Sequence, residues 1–226
     1  MKLIHYTGST YLLEGRTLSV VYRTGGQNCI LLDNGYGSER EELEAVLTGN
    51  GLRPVGLICS HMHIDHHGNS KYLRQKYGAP LAMADGEAGI CTNRTALHRY
   101  FDYTACAPSF REAVDEALYC PVDIRIRPEQ RQLELGGAVF EVLHLPGHSY
   151  DDIAVVTPDG VVCAGDVMLS DDVISRAKMP LVHDYRNAAA SLSAVRDLPY
   201  SRWVMAHKGT VEGRSLTALR LAAAFR

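Results

Sequence analysis

The sequence predicts an α/β fold in which two sheets pack face to face with helices on the outside. Two patterns carry that prediction. Strand-like runs, glycine turns and amphipathic helical stretches alternate along 226 residues with no internal repeat. A strand meander followed by a helix also occurs once in each half of the chain. A composition of 46% hydrophobic and 22% charged residues is that of a soluble domain able to bury one sizeable core. Residues 1–226 therefore read as a single domain.

TYLLEG, LSVVYR and NCILLDNG form three successive strands, the last ending at Asn34-Gly35, where glycine relieves a sharp turn. Ser38 caps a helix over EREELEAVLTGNG, with Leu43, Val46 and Leu47 on one face and Gly49 and Gly51 as the stop. VGLICS is a buried strand, and NSKYLRQKYG is a helix with Asn69 as N-cap and Gly78 as terminator. PLAMA is a short strand. A largely helical, aromatic-rich insertion at 86–128 follows it and reads as a lid over the site or a dimer contact, leaving a homo-oligomer open. Strands then return as RQLEL, AVFEVLHL, DDIAVVT and VVCAGD with glycine-containing turns. The chain closes with helix RNAAASLSAVRDL, strand SRWVMAH and helix RSLTALRLAAAF.

With 23 Lys and Arg against 26 Asp and Glu, the net charge is −3, and no basic field favours nucleic acid or an anionic membrane. No apolar run approaches the roughly 20 residues that span a bilayer. MKLIHYTGST lacks the apolar core of a signal peptide, so a cytoplasmic location and a small-molecule substrate are the working expectations. None of the six cysteines forms a CxxC pair. Cys29, Cys59 and Cys163 lie in strand-like runs, where a thiol acts as a small apolar side chain.

The chemistry concentrates in His61-Met62-His63-Ile64-Asp65-His66, three imidazoles and a carboxylate at the end of an apolar strand. In an extended segment His61 and His63 face one side, and the following turn lets Asp65 and His66 face a second point nearby. Nitrogen and oxygen donors at this density suit a zinc-type cation, bound at about 2.0–2.2 Å. LPGHS adds His148 after a strand and a turn. AGD adds Asp166 and MAH adds His207, both at strand ends, where a sheet holds a side chain rigidly while leaving it open to substrate.

On these motifs the sequence resembles the metallo-β-lactamase superfamily of metal-dependent hydrolases, from about Tyr11 to the terminal helix. The resemblance implies the four-layer αββα sandwich of that family and two divalent metal ions, zinc expected and iron or manganese as alternatives. It implies that His61, His63 and His148 hold one metal and Asp65, His66 and His207 the other, with Asp166 bridging. Asp33 in LLDNG matches the family's aspartate, with Asn34 standing where threonine is usual. AHKG stands where GHG is common, which makes Lys208 a candidate substrate contact.

Two such cations lower the pKa of a shared water and stabilise a developing oxyanion, and Asp65 is the residue placed to orient that water and move its protons. The function expected is hydrolysis of a small ester, thioester, lactone or related substrate. The ligand set resembles that of the compact glyoxalase-II-like branch, without that thioesterase's C-terminal helical region. A phosphodiesterase or ribonuclease shares HxHxDH but calls for a basic exosite. An iron-dependent persulfide dioxygenase would use only His61, His148 and Asp166. The complete ligand set argues against a non-catalytic module, and the absence of a signal peptide against a secreted β-lactamase. Among the other histidines, His67 has a supporting or surface role, His144 is a satisfied strand residue, and His5 carries no signal. His183 and His98, with Tyr100, Phe101 and Tyr103, are candidate substrate contacts.

Overall fold

A computed structural model describes residues 1–102, 106–170, 173, 176, 181–207 and 209–212. Strands β1 (Lys2–Thr7), β2 (Thr10–Glu14), β3 (Leu18–Gly25) and β4 (Asn28–Leu32) form an antiparallel meander. Helix α1 (Arg40–Gly49) then carries the chain back to β5 (Arg53–Ile58), which pairs parallel to β4, because a parallel pair needs a crossover. Helices α2 (Ile64–His67) and α3 (Ser70–Tyr77) lead to β6 (Leu81–Ala84). Helices α4 (Asp85–Cys91), α5 (Arg94–Tyr100) and α6 (Pro108–Leu118) lead to β7 (Ile124–Ile126), and β1 to β7 lie side by side in chain order.

The second sheet has the order β13-β12-β11-β10-β9-β8. Its strands are β8 (Gln132–Leu135), β9 (Ala138–His144), β10 (Ile153–Val156), β11 (Val161–Cys163), β12 (Arg202–Met205) and β13 (Gly209–Glu212). Helix α7 (Tyr185–Asp197) lies between β11 and β12 in the chain, and these two strands pair parallel. Its N-cap is Asp184, whose Oδ1 accepts from the backbone N–H groups of Arg186 and Asn187.

Three separate apolar layers show why the sheets and helices stack as they do. Ile30, Leu32 and Ile58 of the first sheet meet Phe140, Val142 and Val155 of the second. The first sheet's other face, through Leu31 and Leu57, buries Leu43 and Leu47 of α1 and Leu73 of α3. Trp203 and Val162 of the second sheet's outer face pack on Leu192 and Val195 of α7. Each strand alternates its apolar side chains between two such layers, so the order helix, sheet, sheet, helix follows from period-two patterning on strands covered on both faces.

The structure departs from sequence expectation in several places. β1 and β13 carry no strong apolar signal because they are edge strands with no fully buried residue. Ser38 is not the cap of α1: it lies in a 3₁₀ turn over Gly37–Glu39, and Glu39 precedes the α-helix. Asn69 does precede α3 but makes no capping bond, because its side chain instead donates to the carbonyls of Asn34 and Tyr36. Within 86–128, residues 124–126 form a strand of the first sheet, so the added helical segment ends before β7. The closing RSLTALRLAAAF segment lies outside the described residues. All six cysteines are free thiols, and among the described residues no helix is long and apolar enough to cross a membrane.

Phe140 is fully buried between the sheets, its ring meeting Tyr22 edge-on with centroids 5.5 Å apart. Replacing Phe140 with Ala leaves a void that the rigid sheets cannot close, and urea titration is expected to show a loss of about 3–5 kcal/mol.

Candidate metal centre

Five strands deliver the site from their C-terminal ends, with Asp33 after β4, His61 to His66 after β5, His148 after β9, Asp166 after β11 and His207 after β12. The sheets are joined directly at this edge, where Ile153 N–H donates to Ser60 O and Leu18 N–H to Ala206 O. Two glycines make the close approach feasible. Gly147 has φ +146°, and a Cβ there would lie 2.4 Å from the Ala188 backbone at the start of α7. Gly165 has φ +52°, and a Cβ there would lie 2.6 Å from Ser60 Oγ.

The donor atoms fall into two groups, each with its members within 4.8 Å of one another: His61, His63 and His148, and Asp65, His66, Asp166 and His207. Ligands on one tetrahedral ion with bonds near 2.0–2.1 Å sit about 3.3 Å apart. Here His148 Nε2 is 3.0 Å from His63 Nδ1, and His207 Nε2 is 3.0 Å from Asp166 Oδ2 and 3.2 Å from Asp65 Oδ2. Asp166 reaches both groups, with Oδ2 also 3.4 Å from His148 Nε2 and Oδ1 3.3 Å from His66 Nε2.

Outer hydrogen bonds fix which imidazole nitrogen faces inward. Asp33, in the left-handed region at φ +57°, accepts from Ser60 N–H and Ser60 Oγ and from His66 Nδ1 at 2.8 Å. Since the Ser60 hydroxyl has spent its one proton on Asp33, it accepts from His61 Nδ1 at 3.0 Å. His148 Nδ1 donates to Leu181 O at 2.9 Å. All three rings therefore turn an Nε2 lone pair toward the centre. His61 Nε2, His66 Nε2 and Asp166 Oδ1 are buried and make no hydrogen bond. Three buried polar atoms without a hydrogen-bond partner, converging in one place, fit a cation, since buried polar atoms otherwise find partners.

Electrostatics agree with that reading. Burial drives the His63 imidazole down to about 3, and burial likewise pushes His61 well below and His148 below the usual histidine range, so these three are neutral. Burial also opposes charge on His66, but the Asp166 and Asp33 carboxylates outweigh it and hold His66 well above the ordinary value. Hydrogen bonds to Asp166 and Asp65 raise His207 to about 9. Asp166 stays ionised despite its burial, held well below the carboxylate range by His66 and His207. In the second group protons thus stand where a cation would, and metal binding would displace them.

Glu87 of α4 and Asn34 carry structural roles that motif reading did not assign. Glu87 is fully buried; its Oε2 accepts from Met62 N–H, inside HxHxDH, while its Oε1 accepts from Asp151 N–H and the Ser149 hydroxyl, next to His148. One carboxylate thus ties together two loops of the first group. In the sequence it looks like any acidic residue of a helix's first turn, and only its burial reveals it. Asn34 accepts from Asn69 N–H and donates to Ser70 Oγ, and its own N–H bonds His66 O, which locks α2 against α3.

The remaining expected residues are placed as follows. His183 stacks on Tyr100 at 5.1 Å, its N–H bonding the carbonyls of Gly147 and His148, and the Phe101 ring lies 5.5 Å from His63. His98 is not at the site: its Nε2 bonds Asp115 Oδ1 of α6 at 2.8 Å. His67 is buried and donates to Leu118 O, and His144 Nε2 bonds Gln130 O. Tyr103 and Lys208 lie outside the described residues.

Replacing Asp33 with Ala releases the His66 ring and the Ser60 hydroxyl that orients His61, and metal titration is expected to show about 10–100-fold weaker binding. Replacing Glu87 with Ala strands two buried donors and one part-buried donor and is expected to cost about 3 kcal/mol or more by denaturant titration. Glu87→Gln, which keeps acceptor oxygen, should recover part of that loss.

Residues 12–207 match the sequence profile of the metallo-beta-lactamase superfamily. Among curated relatives, a probable metallo-hydrolase of Bacillus subtilis is 25% identical over 150 residues, covering 64% of this chain and 63% of its own length. An acyl-coenzyme A thioesterase of Gallus gallus is 24% identical over 186 residues, covering 76% and 65%. The chain thus spans somewhat under two-thirds of the curated relatives it matches. Among solved structures, a metallo-beta-lactamase family protein from Thermus thermophilus superposes with a TM-score of 0.72 at 21% identity, covering 96% of this chain and 79% of that one. The BLEG-1 B3 metallo-beta-lactamase gives 0.68 at 19%, covering 93% of both chains. These likenesses agree with the two-sheet architecture and the His and Asp clusters at its edge: the chain belongs to the metallo-beta-lactamase superfamily.

Proposed function

We propose that the protein is a dinuclear metal hydrolase of carboxylic esters, thioesters or lactones. The observation that carries this is Asp166, whose carboxylate lies within 3.4 Å of imidazoles from both donor groups. Its neighbours divide into a three-histidine set and a set of two histidines and one further aspartate, all with nitrogen or oxygen donors, for which zinc is the expected metal and iron or manganese the alternatives. When bound, two such ions lower the pKa of a shared water and polarise the substrate carbonyl.

The residues supply the rest. Asp65 sits at the second group with Oδ2 3.2 Å from His207 Nε2, and it also lines the cavity that opens toward α6. It is therefore placed to take the proton that water gives up as its oxygen attacks the carbonyl carbon. It returns that proton to the leaving oxygen or sulfur as the C–O or C–S bond breaks. Asp33 and Ser60 hold His66 and His61 in register throughout. The stacked pair of His183 and Tyr100 forms a wall beside His63 and His148, against which a substrate is oriented. Similarity to an acyl-coenzyme A thioesterase supports including thioesters.

Elemental analysis of the purified protein should give two metal equivalents, and a panel of esters, thioesters, lactones, phosphodiesters and persulfides should identify the first three as substrates. Asp65→Asn should lower kcat by about 100-fold or more with the melting temperature nearly unchanged. One equivalent of iron with persulfide consumption, or turnover of phosphodiesters alone, would overturn the reading.

A further inference from the structure

Beside the metal centre a cavity of about 440 Å³ opens between α2 and α6, within the range of small-molecule sites. His63 and Asp65, one residue from each donor group, form its polar end, and its other eight lining residues are apolar. Ile64, Phe110 and Leu181, at 43%, 47% and 67% exposure, are among the few large apolar side chains that the described residues leave in water, and all three face this cavity. Exposed apolar side chains gathered at one place mark a binding surface, whereas scattered ones need no explanation.

Helix α6 is built to line it. Phe110, Ala113, Val114 and Ala117 recur at helical spacing on one face, and the two alanines leave room in the middle of that stripe. Beyond Ile64, Ala113 and Ala117 the groove turns polar, with Arg40, Lys71 and Glu116. An apolar chain gains from each methylene up to that rim and nothing past it.

Resting on the ester and thioester reading above, we propose that this cavity is an acyl-chain subsite, selecting substrates whose acid portion is a medium-length aliphatic chain. A carbonyl held between His63 and Asp65 sends one substituent into the cavity. With no cation or hydrogen-bond donor among the described residues of its apolar wall, that substituent is the hydrocarbon side and not a polar leaving group.

The test uses metal-loaded protein and p-nitrophenyl esters and N-acetylcysteamine thioesters from acetyl to dodecanoyl. Expected is a kcat/KM that rises up to about fourfold per methylene and then levels off. Ala113→Trp, at an exposed position, fills the cavity and should lower kcat/KM for octanoyl at least about tenfold while leaving acetyl unchanged. Phe110→Ala should lower octanoyl turnover more modestly. Calorimetry with octanoate and acetate gives a readout independent of turnover: octanoate should bind more tightly, and Ala113→Trp should remove the difference. Equal handling of acetyl and octanoyl substrates, with no octanoate preference, overturns the subsite and leaves the hydrolase reading intact. Octanoate binding weakened by Ala113→Trp in a protein that hydrolyses no ester or thioester overturns the hydrolase reading instead. A shift in sedimentation of Ala113→Trp with an unchanged chain-length profile assigns the patch to a second copy of this chain and overturns the proposal.

Discussion

Five imidazoles and two carboxylates must be brought to one place with their lone pairs aimed inward, and the other features of the fold serve that requirement. His61 and His66 are fully buried, and ring centroids within the cluster approach to 4.1 Å. Unpaired acceptors at that density repel, and only a cation, or protons in its absence, resolves the conflict. The chain holds the arrangement because rings are tied from behind. Asp33 and Ser60 secure His66 and His61, and the Leu181 carbonyl secures His148. Without these outer bonds the rings could rotate, and the inner nitrogens would lose their common focus.

The two sheets meet that requirement by ending together. β4 and β5 pair parallel in the first sheet, as do β11 and β12 in the second, so residues following these strands emerge at one edge. Parallel neighbours require helical crossovers, and the helices they bring cover the outer faces of the sheets. The buried layer between the sheets therefore acts as a rigid base, and the loops beyond it need little length to reach the centre. Gly147 and Gly165 mark where backbone approaches so closely that no side chain fits.

Between β6 and β7 the described residues of the crossover form three helices, and the segment does two kinds of work. Glu87 at its start reaches inward to hold Met62, Ser149 and Asp151, so the segment is structurally bound to the metal loops. Its later part, α6, turns an apolar face to the cavity at His63 and Asp65. The same connection thus stiffens the donor set and shapes the space in front of it, and substitutions along it should divide by which of these they touch.

The two-sheet class and most of the described strands and helices were legible in the sequence, as were the seven residues whose nitrogen and oxygen atoms the fold brings together. Donors follow from local spacing, since HxHxDH sits in six consecutive residues and His148, Asp166 and His207 each follow a strand, so chain direction alone puts them at a strand's end. Edge strands β1 and β13 escaped because neither has a fully buried residue to leave an apolar signal. Asn34 and Glu87 escaped for a different reason. Their partners lie 35 residues away for the Asn69 backbone and 62 for Ser149, and a polar residue's burial is a property of what packs over it. His98 looked like a substrate contact by composition, yet a turn of α6 brings Asp115 to it and removes it from the site. It took the packed chain to establish which histidine nitrogen faces the centre, that Asp166 touches both groups, and that apolar side chains from α2, α6 and the loop at Leu181 converge on one cavity. Each depends on distances between segments far apart in the chain, about which local periodicity is silent.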